Sequence, residues 1–278
     1  EAACAVVWLH GQGESEVAWQ TTLAGVHLPE ELGACRWVWP RAPLQPCSTR
    51  GGVLTPQWFD TPEFPKTRVV RGVPDRPTME EAPTDLTEAT RRIHAIIEAL
   101  EVEGLPSERI VLAGFGQGAA LVPHAVLRFQ RPLAGGAMLC AWVPCREALG
   151  VAAELAAPPE GRPSPPEFLW CAGARDAVVD PIYASEQASW LKDIGANVDF
   201  RMFPELAFGV NHELLAVLQE WLVHRLLPAD GPPSEPADAE GDGGARDDEA
   251  AGQDGSEEQL PEGEDRQAAP LQAVSVAA

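Results

Sequence analysis

Three stretches of the chain carry residue types that could perform acyl transfer. "RIVLAGFGQGAALV", residues 109–122, reads as a buried strand turning through glycines into a helix, the backbone form that lifts a nucleophile out of a sheet. "CAGARDAVVD", residues 171–180, puts Asp176 a few residues past a strand, and "FPELAFGVNHEL", residues 203–214, puts His212 at a helix entrance after the last strand. Nucleophile, carboxylate and imidazole in that chain order is one of the orders in which an attacking hydroxyl, its base and the base's orienting acid converge on a carbonyl. A fourth stretch, "LHGQGES" at 9–15, follows the first strand. A His-Gly turn ahead of backbone N–H groups is half of a pocket for a developing oxyanion. At the apex of the glycine turn, however, where the hydroxyl belongs, the chain has Gly116.

Each residue also has a plainer reading. A single His at a helix entrance is ordinarily an exposed cap; the acid loop and the glycine turn, in the right order, favour a remnant base for His212. His94, His124 and His224 fall inside helical stretches and read as ordinary surface or core residues. Asp180 competes with Asp176 for the role of acid. His10 has no partner at metal-ligand spacing and reads as a structural residue at a strand end, so no metal or cofactor is expected. Glycine turns also hold dinucleotides, but those follow the first strand and want a third glycine and a downstream acid. Cys140, at the end of "AMLC", could attack a carbonyl in principle, yet a Cys in such a run is ordinarily packing.

The elements that must hold these residues follow an α/β rhythm. "CAVVWL" (4–9), "RWVW" (36–39), "RIVLAG" (109–114), "GAMLC" (136–140), "EFLWCAG" (167–173) and "VDFRMF" (198–203) suit buried strands of a parallel sheet. Helical patterns separate them at 117–129, 184–194 and 212–227. The clearest helix starts after Pro83, with Asp85 and Glu88 spaced as a capping box. It sets Leu86, Ala89, Ile93, Ile96, Ile97 and Leu100 on one face. Regular alternation predicts an α/β class, a mostly parallel central sheet with helices on both faces. Residues 40–83, rich in Pro and Gly, read as a long loop over the end of the sheet, a kind of loop that is usually functional.

Charge and composition exclude several classes. The formal net charge is −22; residues 229–278 hold 14 acidic and 2 basic side chains, a net of −12, leaving −10 for residues 1–228. Both parts repel a phosphate backbone, so a nucleic-acid partner is not expected. The last fifty residues have almost no large apolar side chains and read as a disordered acidic tail suited to a basic protein partner. The division is therefore a folded domain over 1–228 and a tail over 229–278. Six scattered cysteines without a C-x-x-C pair favour a reducing, cytoplasmic setting. No apolar run reaches the roughly 18 residues of a spanning helix, so no stable membrane insertion is expected.

Strand-"LHGQG", "PRAP" followed by "WFD" (58–60), "SERIVLAGFGQGAAL", "LAGGAMLCAWVP" (133–144), "GARDAVV" and "FP" followed by "HELLAVLQEWL" together resemble the acyl-protein thioesterase, carboxylesterase and phospholipase family of α/β-hydrolases, including its lysophospholipase-like branch. The likeness runs over 4–227. It implies a hydrolase of acyl thioesters or esters that works with Ser, Asp and His and without cofactor, on an acylated protein, a small acyl ester or a lysophospholipid. Carried across, Asp176 orients, His212 is the base, the N–H groups of Gln12 and Gln117 form the oxyanion hole, and Trp58 and Trp142 line the acyl channel, although both tryptophans could equally be core. The nucleophile maps onto Gly116. Ala172 stands where members commonly have His, and Pro123 lies inside the helix after the turn, where it removes a hydrogen bond. Glycine adopts the strained turn conformation with little cost, so losing Ser keeps the turn and deletes the chemistry. The chain is expected to be an inactive or strongly impaired hydrolase, or a pseudoenzyme that binds acyl groups without cleaving them.

Overall fold

Every one of the six apolar runs becomes a strand. In the computed structural model, which describes residues 2–28, 34–66, 83–155 and 165–227, they are β1 (Cys4–Leu9), β2 (Cys35–Val38), β5 (Ile110–Phe115), β6 (Gly135–Leu139), β7 (Glu167–Gly173) and β8 (Asn197–Phe203). They form one sheet in the order β2-β1-β5-β6-β7-β8, each neighbouring pair parallel. The chain leaves β1 toward β2 on one side and returns to β5 on the other. The crevice between the carboxyl ends of β1 and β5 is therefore the topological switch point, where open α/β sheets hold their ligands.

Alternation along β1 explains the two layers. Ala5, Val7 and Leu9 face α2 (Thr84–Val102), α3 (Gly116–Arg128) and α5 (Pro181–Asp193), whose Ile93, Leu121 and Leu191 are fully buried. Cys4, Val6 and Trp8 face α1 (Glu16–Thr22) and α6 (His212–Leu226), where Trp19, Leu214, Leu218 and Leu222 complete the opposite core. Helix α4 (Arg146–Leu155) follows β6. The mostly parallel sheet with helices on both faces is the expected α/β-hydrolase arrangement.

Two expectations need correction. The stretch read as one long loop contains a hairpin, β3 (Leu44–Cys47) and β4 (Val53–Pro56), turned by Gly51 and Gly52 at positive φ. Alternation was hidden because prolines fall inside both strands, a feature of strands outside the main sheet. The capping box is not formed: Pro83 is the N-cap of α2, and Asp85 instead accepts the Asp60 amide at 2.6 Å. Helix α3 runs on through Pro123 to Arg128, every residue from Gly116 to Leu127 buried. The boundary between domain and tail lies outside the described residues, as does the tail itself.

Candidate active site

Strand β5 passes into α3 with no intervening loop, and the backbone reverses at one residue. Phe115 is extended (φ −125°, ψ 141°), and Gly116 takes φ +55°, a left-handed conformation that glycine adopts freely. The bend is packed against β1 so closely that a Cβ on Gly118 would lie 2.2 Å from the Leu9 carbonyl oxygen. Neighbouring glycines thus serve different needs, Gly118 for close approach and Gly116 for the turn. Helix α3 has no side-chain cap, so its first N–H groups open toward the crevice end of the sheet.

The turn after β1 is braced from all sides. His10 is buried, and its Nδ1 lies 2.8 Å from the Gly11 carbonyl while its Nε2 accepts the Ala42 amide at 3.1 Å. Burial holds its pKa below the usual imidazole range, and its role is structural, as its sequence context indicated. Glu14 accepts the Gly11 amide at 2.7 Å and the Trp19 indole at 2.5 Å through one oxygen, and burial raises its pKa. The Gln12 side chain donates to Cys47 Sγ at 2.8 Å and Gln57 Oε1 at 3.0 Å, tying the turn to the hairpin. Its own amide meets no acceptor among the described residues. The Gln117 side chain accepts the Trp58 amide at 2.8 Å and donates to Phe59 O at 2.7 Å and Thr61 Oγ1 at 3.0 Å. Gln12 and Gln117 both line a cleft of about 1160 Å3 whose apolar walls include Phe64, Phe115, Trp142 and Phe208.

Trp142 and Trp58, paired by the sequence, part company. Trp142 stands edge-on to Phe64 at 5.3 Å as a wall of the cleft, with Lys66 Nζ 5.6 Å from its ring centroid. Trp58, buried in the same core cluster as Trp142, is not among the cleft-lining residues and spends its indole N–H on His10 O at 2.7 Å.

Asp176 is buried at the end of β7, next to the cleft-lining Ala177 and Val178. Its Oδ1 accepts the amides of both Val178 and Val179 at 2.8 Å, and the Cys140 thiol also reaches the carboxylate. That thiol lies 3.3 Å from Gly209 O, and burial with the Asp176 charge pushes its pKa up to about 12. Cys140 is therefore a protonated packing group. The rival acid, Asp180, is the N-cap of α5, accepting Ile182 N and Tyr183 N.

The imidazole expected beside this acid makes no hydrogen bond to it among the described residues. Asn211 caps α6 by accepting the Leu214 amide at 2.9 Å, so His212 is already the first helical residue. It is exposed and has no hydrogen-bond partner among the described residues. The residue that the β8–α6 loop sets over the elbow is Phe208. Its Cζ is 3.1 Å from where a Cβ on Gly116 would be, and its ring packs tilted against Phe115 with centroids 4.7 Å apart. This loop is held against the acid loop by Ala174 N to Phe203 O and Arg175 N to Leu206 O, both 2.9 Å. A His at the entrance of α6 drew attention from Phe208. The local signal was the cap: Asn-His-Glu-Leu is a helix start with Asn as the cap, which makes His212 the first helical residue.

Comparison with known proteins agrees with this architecture. The family model described as Phospholipase/Carboxylesterase matches residues 1–225. A probable carboxylesterase of Oryza sativa subsp. japonica is 31% identical over 223 residues, 80% of this chain and 77% of that protein. Carboxylesterase SOBER1 of Arabidopsis thaliana is 30% identical, covering 80% of this chain and 90% of its own. The crystal structure of Arabidopsis SOBER1 superposes with a TM-score of 0.69 at 29% identity over 80% of this chain and 99% of that one. That of Zea mays acyl-protein thioesterase 2 gives 0.63 at 26%, over 80% and 94%. An elbow at the switch point, an acid loop after β7 and a match across the whole described fold make this chain a member of the phospholipase/carboxylesterase family of α/β-hydrolases.

Proposed function

We propose that this family member binds an acyl group in its cleft and does not cleave it. One observation carries the reading: at the elbow, the position of the attacking hydroxyl is Gly116, and the ring that crowds it is a phenyl, Phe208, which can neither accept nor deliver a proton. Two groups of the three are absent from the place where they are needed, and His212 faces solvent. The third, Asp176, keeps its position through backbone amides that serve the loop itself. The reading is supported by what persists of the binding half of the site, the Gln12 and Gln117 turns and a cleft with Phe64, Phe115, Trp142 and Phe208 in its walls. The ligand class is an acyl chain presented by an acylated protein, a lysophospholipid or a small ester. The medium is the cytoplasm, supported by cysteines that are all free; no described helix is long and apolar enough to cross a membrane. A basic protein partner for the acidic tail belongs to the same proposal, and that tail lies outside the described residues.

A fluorophosphonate probe, which labels an activated serine covalently, tests the reading. The intact chain is expected to stay unlabelled while an active carboxylesterase beside it is labelled fully. Stoichiometric labelling, or turnover of p-nitrophenyl butyrate at rates typical of esterases, roughly 1 s⁻¹ or above, overturns it.

A further inference from the structure

At the end of the sheet remote from the cleft, two thiols that are thirty-one positions apart in sequence meet. Strands β1 and β2 pair in parallel with Cys4 directly opposite Cys35. Both belong to the same core face, and neither is part of a disulfide. Paired Cα atoms of neighbouring strands lie about 4.8 Å apart, inside the roughly 4.4–6.8 Å that a disulfide spans. Cys4 is fully buried, whereas Cys35 on the edge strand is half-buried and can be reached from solvent. Arg109 anchors beside them, donating to Ala3 O at 3.0 Å, and its charge favours the thiolate of either. Sequence spacing gave no sign of the pair, because no C-x-x-C motif is involved; strand register alone creates it.

We propose that Cys4 and Cys35 are a vicinal dithiol site that a small-molecule disulfide, such as oxidised glutathione, converts to a disulfide bond. The Cys35 thiolate attacks one sulfur of the oxidant, breaking its S–S bond and releasing one glutathione thiol. The Cys4 thiolate then attacks the Cys35 sulfur and releases the second. Two cysteine thiols lose two electrons and two protons, and one oxidised glutathione becomes two reduced molecules. The product staples an edge strand that pairs with β1 alone. That strand continues through Trp39 to Ala42, whose amide bonds His10 beneath the cleft, so the staple and the cleft share one segment.

The test is exposure of the full chain to oxidised glutathione, alkylation of remaining thiols, digestion and mass spectrometry, alongside thermal unfolding. Peptides bearing Cys4 and Cys35 should appear joined, two hydrogens lighter than their sum, and separate on adding dithiothreitol. Closing a loop of roughly 30 residues should raise the unfolding midpoint by about 5–10 °C, and Cys35→Ser should abolish the rise. Persistent glutathione adducts on Cys35 with Cys4 still open to alkylation overturn the proposal. So does recovery of both residues alkylated after oxidation, a result that needs no variant to fold.

Discussion

Replacing Gly116 by Ser does not by itself restore an esterase, and the structure gives the size of the obstacle. A side chain at φ +55° costs about 1–2 kcal/mol for an L-residue, and the Cβ would stand 3.1 Å from Phe208 Cζ, so the ring must turn away. A displaced rotamer costs about 0.5–1.5 kcal/mol more. The expected loss is about 2–3 kcal/mol, or about 5–10 °C in unfolding midpoint for a domain of this size. The new hydroxyl would still lack a base, because His212 points to solvent, so p-nitrophenyl butyrate hydrolysis should stay within about 10-fold of the parent chain. The double variant Gly116→Ser with Phe208→His behaves differently. It relieves the contact, puts an imidazole beside the hydroxyl, and leaves Asp176 Oδ2, which neither backbone amide uses, on the acid side. A positioned general base contributes about 10²–10⁴-fold, so the double variant should exceed Gly116→Ser by at least about 10²-fold and take up fluorophosphonate. Full activity in Gly116→Ser alone, abolished by His212→Ala, would refute the argument by showing that the exposed imidazole reaches the elbow.

Three further outcomes follow from the same geometry. Asp176→Ala should lower stability by about 2–4 kcal/mol in urea unfolding, because it strands the Val178 and Val179 amides, whereas Asp176→Asn should cost less than about 1 kcal/mol by keeping an acceptor. Burial raises the Glu14 pKa, so its proton is held more tightly in the folded than in the unfolded chain. That contribution is present below about pH 4.3 and is lost as pH rises through the raised folded value. Glu14→Gln should therefore flatten the fall of stability between pH 4 and pH 7, read as unfolding midpoints across that range. Gly118→Ala should fail to give folded protein, at a cost above about 4 kcal/mol, since its Cβ meets the Leu9 carbonyl oxygen at 2.2 Å; soluble protein with an unchanged midpoint would contradict the close packing of elbow on β1.

The fold was legible where burial on both faces left unbroken apolar runs. Runs 4–9 and 167–173 coincide with β1 and β7, and the others shift by a residue or two at their ends. The hairpin was not legible, because Pro46 and Pro56 interrupt its alternation and its stability comes from Gln12 and Gln57 rather than from a hydrophobic face. Within the site, Gly116 makes the bend that the glycine turn predicted, and Gln12, Gln117 and Trp142, which the family resemblance implied, line the cleft. Trp58 does not, because an aromatic beside a site and one beneath it look alike in sequence. Phe208 could not be found by looking for chemistry: it matters for the space it fills and the proton it cannot carry. His212, chemically suited, is the exposed first residue of α6, directly after its cap.

Whether the cleft holds an acyl chain beside an elbow with no nucleophile and no base is read by titrating the purified full chain with a fluorescent long-chain acyl ester and analysing the recovered ligand by mass spectrometry. Saturable binding that Trp142→Ala weakens, with the ester recovered intact after many hours, is the predicted result. Hydrolysis of the bound ester on the scale of seconds, or no binding up to the solubility limit of the ligand, would contradict it.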